Sequence, residues 1–210
     1  MTALFFSEKP YREVKMKPSH INYIIIIFIV LTSVSFAGNF DDASQAANWG
    51  DYKKAHQLWL IEADNGNAAA QLNLGLMSEE GLGVAQDDKQ AVKWYRMAAG
   101  QGEKRAQYFL GIMLENGRGA PQDYQESIKW YTLSAEQGYI NAQYRLGLMY
   151  LKGLGVAQSP VNAYAWWIVA ASQGHEDAQK YMASAKQQMA PKEIESAQQI
   201  AKQLWTGVDK

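Results

Sequence analysis

The chain has 210 residues, 48% hydrophobic and 20% charged, with 17 Gly, 5 Pro, 7 Trp and no Cys. This usage excludes a collagen-like or low-complexity chain, a disulfide-stapled scaffold and any thiolate metal site. Lys and Arg number 20 against 21 Asp and Glu, a formal charge of -1, so no strong overall field draws in nucleic acid or anionic lipid.

The first element in chain order reads as an export signal over residues 1–37. Tyr23 to Leu31 runs Tyr-Ile-Ile-Ile-Ile-Phe-Ile-Val-Leu without a charge, and Ser35-Phe36-Ala37 sets small residues at the two positions a signal peptidase reads. From Ile21 to Ala37 the uncharged stretch also contains Asn22, Thr32, Ser33 and Ser35, and is short for a helix crossing ~30 Å of hydrocarbon. Cleavage after Ala37 is the expectation, and a retained anchor is the alternative. Glu8, Pro10 and Glu13 do not suit a basic leader, which makes Met16-Lys17 the more natural start, and with no Cys after the apolar run a lipoprotein anchor is excluded. Without residues 1–37, which hold 4 basic and 2 acidic residues, the chain keeps 16 and 19, a net of -3.

An N-terminal half-repeat follows over 38–68. Ala43 to Asn48 reads as a short helix, and Ala55, Leu58, Trp59 and Ala63 keep the phase of a longer one. From residue 69 the chain repeats with a period of 36: Ala70, Ala106, Ala142 and Ala178; Gly75, Gly111 and Gly147; Gly81, Gly117 and Gly153; Trp94, Trp130 and Trp166. Twelve of 36 positions are identical across units 69–104, 105–140 and 141–176, so each unit must fold alike.

Within the second unit, Ala106, Leu110 and Met113 share one face of a helix from Arg105 to Asn116, which Gly117-Arg118-Gly119 ends. Asp123 is the expected N-cap of the second helix, with Glu126 as its capping-box partner; Asp87 with Gln90, and Ser159-Pro160, repeat the signal. Ser127, Trp130, Tyr131, Ser134 and Ala135 form its buried stripe. A helix-turn-helix of this size cannot bury both stripes alone, so the fold class is all-α, a right-handed α-solenoid of stacked 36-residue helix-turn-helix repeats. Residues 177–210 read as a C-terminal partial repeat and a capping helix, starting at Ala190-Pro191.

The motif Ala-Gln-x-x-Leu-Gly-x-Met, then Gly-x-Gly, then Trp-Tyr and a closing Gln-Gly resembles the Sel1-like repeat family, close relatives of tetratricopeptide repeats. That resemblance implies an interaction scaffold. Some relatives hydrolyse β-lactams, but those are disulfide-rich, and with Cys absent that activity is not carried over.

Chemistry-bearing residues are few. Outside the signal there are only His56 and His175, no nucleophile elbow, no HExxH and no P-loop, so the expectation is no enzyme, no cofactor and no metal. The two histidines lie several helix layers apart and read as solvated surface residues. Adjacent Glu79 and Glu80 point about 100° apart on a helix and read as a solvated or peptide-facing edge.

What remains is the face of the first helices, which the resemblance makes the concave wall. Positions outside the small-residue packing code supply Arg105, Tyr108, Ile112 and Glu115 in one unit and Asn141, Tyr144, Leu148 and Lys152 in the next. Aromatic residues rimmed by mixed polar groups suit a protein or extended peptide in that groove; the same tyrosines would also serve to cover the gap between adjacent first helices. The expectation is an exported adaptor, periplasmic or secreted from a bacterium, binding no nucleic acid and not inserted in a membrane once the signal is cut. A cell-envelope hydrolase and a membrane-tethered assembly factor are the alternatives.

Overall fold

The structure, a computed structural model, describes residues 40 to 208, and the export signal read over 1–37 lies outside them. A helix over 40–48 (α1) leads into α2 (Tyr52–Asp64), α3 (Ala68–Glu80), α4 (Asp88–Gly100), α5 (Lys104–Asn116), α6 (Tyr124–Glu136), α7 (Ile140–Lys152), α8 (Pro160–Ser172), α9 (Glu176–Lys186) and α10 (Pro191–Val208). No strand occurs among the described residues. First helices begin at Ala68, Lys104, Ile140 and Glu176, and second helices at Asp88, Tyr124 and Pro160. Each consecutive pair of helices from α2 to α9 packs together, which makes the chain an α-solenoid.

Local chemistry explains the boundaries. The second helices start where Asp87, Asp123 and Ser159 accept hydrogen bonds from amides of their own first turns, and Pro160 occupies a first-turn position that needs no donor. First helices stop at Gly81, Gly117 and Gly153, all left-handed, with φ of 67° to 70°. The second glycine of each turn lets two repeats approach closely. A Cβ on Gly119 or Gly155 would collide with the backbone at the start of the preceding second helix, at Asp88 and Tyr124. The expected capping box does not close in α6, because the Glu126 carboxylate pairs instead with Arg96 of the previous repeat and accepts from Trp130 Nε1.

Two devices hold the helices together, the first within each repeat and the second reaching back to the preceding one. The seventh-position glycines face aromatic rings: a Cβ on Gly111 would lie 2.6 Å from Tyr131 Cε1, and Gly75 and Gly147 meet Tyr95 and Trp167 in the same way. These three rings are buried, as are Trp94 and Trp166, whereas Trp130 is only half-buried. The second device uses glutamine. Buried Gln71, Gln107 and Gln143 donate to Ala63, Ala99 and Ala135 carbonyls and accept, at 2.7 to 2.8 Å, from Gln101, Gln137 and Gln173. The Ala-Gln and Gln-Gly ends of the repeat motif are thus partners, thirty residues apart, that satisfy carbonyls left free at helix C-termini.

The last helix breaks the pattern. α10 lies mainly on α8, and touches α6, rather than pairing with α9 as earlier second helices pair with first ones. Its Ala197 and Ala201 are buried against Tyr164, Ala165 and Val169.

Candidate functional site

The face of α5 and α7 holds all eight residues singled out in the sequence. Arg105, Asn141 and Lys152 are exposed, while Tyr108, Ile112, Glu115, Tyr144 and Leu148 are half-buried. Tyr108 touches the rings of Phe109, Tyr131 and Tyr139, the last at 5.0 Å. Tyr144 stacks on His175 at 4.4 Å and meets Tyr181 at 5.9 Å. Each tyrosine therefore reaches forward to the N-cap residue of the next first helix, Tyr139 or His175, and both bridge successive repeats while keeping an open edge.

Glu115 is engaged internally. Its carboxylate accepts from the Tyr131 hydroxyl at 2.7 Å and sits 3.6 Å from Arg145. The equivalent Glu79 accepts from Tyr95 at 2.7 Å and from Arg118 at 2.8 Å, and Arg118 also holds Asp88. Glu79 is consequently not the solvated edge expected of it, with a side chain 12% exposed. Burial, reinforced by these carboxylates, pushes the Tyr95 and Tyr131 phenols far above their ordinary range. Burial also raises Tyr108, opposed by Arg145.

The third repeat departs from this arrangement, with Leu151 and Trp167 where the earlier units have glutamate and tyrosine. Trp167 Nε1 donates to the Tyr144 carbonyl at 3.3 Å. Beside Leu151 and Trp167 lies an open cavity of about 330 Å³, also lined by Tyr181, Ala185, Met189 and Glu193. Tyr181, 41% exposed, joins this cavity to Tyr144, extending the row of rings from α5 through α7 to α9.

Sequence reasoning misses Arg118, Arg145, Tyr139 and Tyr181. In the sequence Arg118 is only the middle of a Gly-x-Gly turn, and Arg145 has no counterpart in the other units. A signal exists nonetheless: glutamate and tyrosine sixteen residues apart in two units, both exchanged for apolar residues in the third. The histidines are not merely solvated either, since His175 Nδ1 caps α9 by accepting from Ala178 and burial lowers the His56 pKa. Among the described residues no group of three or more His, Asp or Glu could hold a metal ion, and no helix is long and apolar enough to cross a membrane.

Comparison with known proteins agrees with this architecture. The Sel1 repeat family model matches residues 68–103, 104–139 and 140–175, just over half of the chain. Among solved structures, a Sel1 repeat protein from Oxalobacter formigenes is 34% identical with a TM-score of 0.63, the match covering 74% of this chain and 65% of that one. The Escherichia coli protein c5321, described as a protective antigen present in uropathogenic strains and displaying an SLR fold, is 27% identical with a TM-score of 0.57, covering 74% of this chain and 41% of that one. The chain thus spans under two thirds of either protein's length. No curated protein matches the chain significantly. Three consecutive matches in the register of the helices establish that this chain belongs to the Sel1 repeat family.

Proposed function

We propose that the chain is an exported, non-catalytic adaptor that holds a protein or an extended peptide along the face of α5, α7 and α9. The observation that carries this reading is the row of part-exposed rings Tyr108, Tyr144 and Tyr181, one per successive first helix. Arg105 and Lys152 stand exposed on the same helices and close no salt bridge in the described structure. Aromatic anchors that are already packed lose little side-chain freedom on binding, and basic groups left free at the rim add orientation and on-rate. Half-buried Ile112 and Leu148 supply the apolar floor between the rings. The internal neutralisation of Glu79 and Glu115 argues against acid–base chemistry, because each carboxylate is committed to a tyrosine and an arginine.

The test places a photocrosslinking residue at Arg105 or Asn141 in the cell of origin, with a second position at exposed Lys186 as control. One discrete adduct from the first pair, absent from the control and, for the Asn141 position, lost with Arg105→Glu plus Lys152→Glu, supports the reading. Equal labelling from all positions counts against it. Intact mass of the exported protein tests the signal, the expected species beginning at Gly38.

A further inference from the structure

The solvent side of the second helices carries a different row. Ile61, Met97 and Leu133 occupy one repeat position, 36 residues apart, and are 50%, 41% and 44% exposed. The next member of the series, Val169, is 1% exposed. What covers it is the chain's own α10, which sets Ala197 and Ala201 against Tyr164, Ala165 and Val169, with Ile194, Ile200 and Leu204 around them. The surface that α4 and α6 leave open is, on α8, the seat of an amphipathic helix.

The residues flanking the row show how the open seats differ. One turn before Val169, α8 presents Ala165, and two turns before it Val161; at the same positions α6 has Lys129 and Gln125, α4 has Lys93 and Lys89, and α2 has Gln57 and Lys53. All four lysines are exposed and none closes a salt bridge in the described structure. The acidic Glu126 at the seam between α4 and α6 is held by Arg96. Exposed Asp64 and Glu136 lie three residues after Ile61 and Leu133, so the basic border is confined to the N-terminal side of the row, and there, in a chain of net charge -1, it favours an acidic partner.

We infer that this row is a second docking surface, which takes an acidic amphipathic helix of a partner protein across α4 and α6 in the manner of α10 on α8. The helix presents small or aliphatic residues to Met97 and Leu133 and carboxylates to Lys93 and Lys129. This surface is distinct from the first-helix face, and either can fail alone.

The probe is a fluorescent peptide of the α10 sequence, residues 191–208, with Lys192→Glu and Lys202→Glu, titrated into the purified chain. Saturable binding is expected, weakened by about tenfold or more by Met97→Glu with Leu133→Glu and by Lys93→Glu with Lys129→Glu, at unchanged melting temperature. The unmodified peptide should bind more weakly, and added salt should weaken the acidic one. No binding up to millimolar peptide overturns the inference. So does binding indifferent to both double variants, which would place the peptide on α8 in exchange for α10. Capture of the chain by phosphatidylglycerol vesicles, lost in the same variants while the peptide does not bind, would assign the row to lipid and overturn it too.

Discussion

The hydroxyl of Tyr131 donates to Glu115 Oε2 at 2.7 Å, joining the second helix of a repeat to the end of its first. Tyr95 and Glu79 repeat the bond one unit earlier. Tyr131 is fully buried, so removing its hydroxyl leaves a carboxylate short of a donor in a largely dry setting. Tyr131→Phe is expected to cost about 1–2 kcal/mol, and a double-mutant cycle with Glu115→Gln in urea should show coupling between the two. Independent effects would mean that Arg145 alone satisfies Glu115.

The same tyrosines are expected to weaken the fold at alkaline pH. Their folded-state pKa values are raised above the ordinary 10.0, so the folded protein keeps protons that the unfolded chain releases. Their contribution is fully present below about pH 10 and is lost as pH rises beyond it. The urea midpoint should fall above pH 10, and Tyr95→Phe with Tyr131→Phe should flatten that fall while lowering stability at neutral pH.

Gly111→Ala is expected to destabilise by about 1–3 kcal/mol, because its new methyl would overlap the fully buried Tyr131 ring. Gly100, at the exposed end of α4 with nothing near its missing Cβ, is the contrast. Gly100→Ala should raise stability by about 0.5–1 kcal/mol, read from thermal melts.

His175→Ala removes both the cap of α9 and the ring beneath Tyr144, and should lower stability by about 1 kcal/mol. His175→Asn, which retains a capping acceptor, should recover most of the loss in urea denaturation.

Tyr108→Ala with Tyr144→Ala will not leave the fold untouched, given their contacts with Tyr131, Tyr139 and His175. A loss of about 1–3 kcal/mol is expected. Arg105→Glu, at an exposed position, should leave the melting temperature within a degree or two and is the cleaner probe of partner binding.

By itself the sequence determined the period, the helix starts and stops and the packing stripe. Each follows from chemistry that acts within a few residues: a left-handed glycine at 117, an acceptor at Asp123, and apolar spacing through Ala106, Leu110 and Met113. The candidate face was legible as far as position goes, since Arg105 and Asn141 do stand in solvent. Only the tertiary structure decided what the half-buried residues do, as Glu115 answers to Tyr131 and Arg145, and Glu126 to Arg96 of the previous repeat rather than to the amide of its own N-cap. It also decided which apolar residues remain open. Leu133 and Val169 occupy one repeat position, and whether that position is bare or covered depends on where α10 comes to rest. A periodic pattern specifies the contacts that every repeat shares, such as Gln107 on the Ala99 carbonyl, whereas added pairings such as Glu126 with Arg96 and the docking of a terminal helix are chosen by side chains that the repeat does not share.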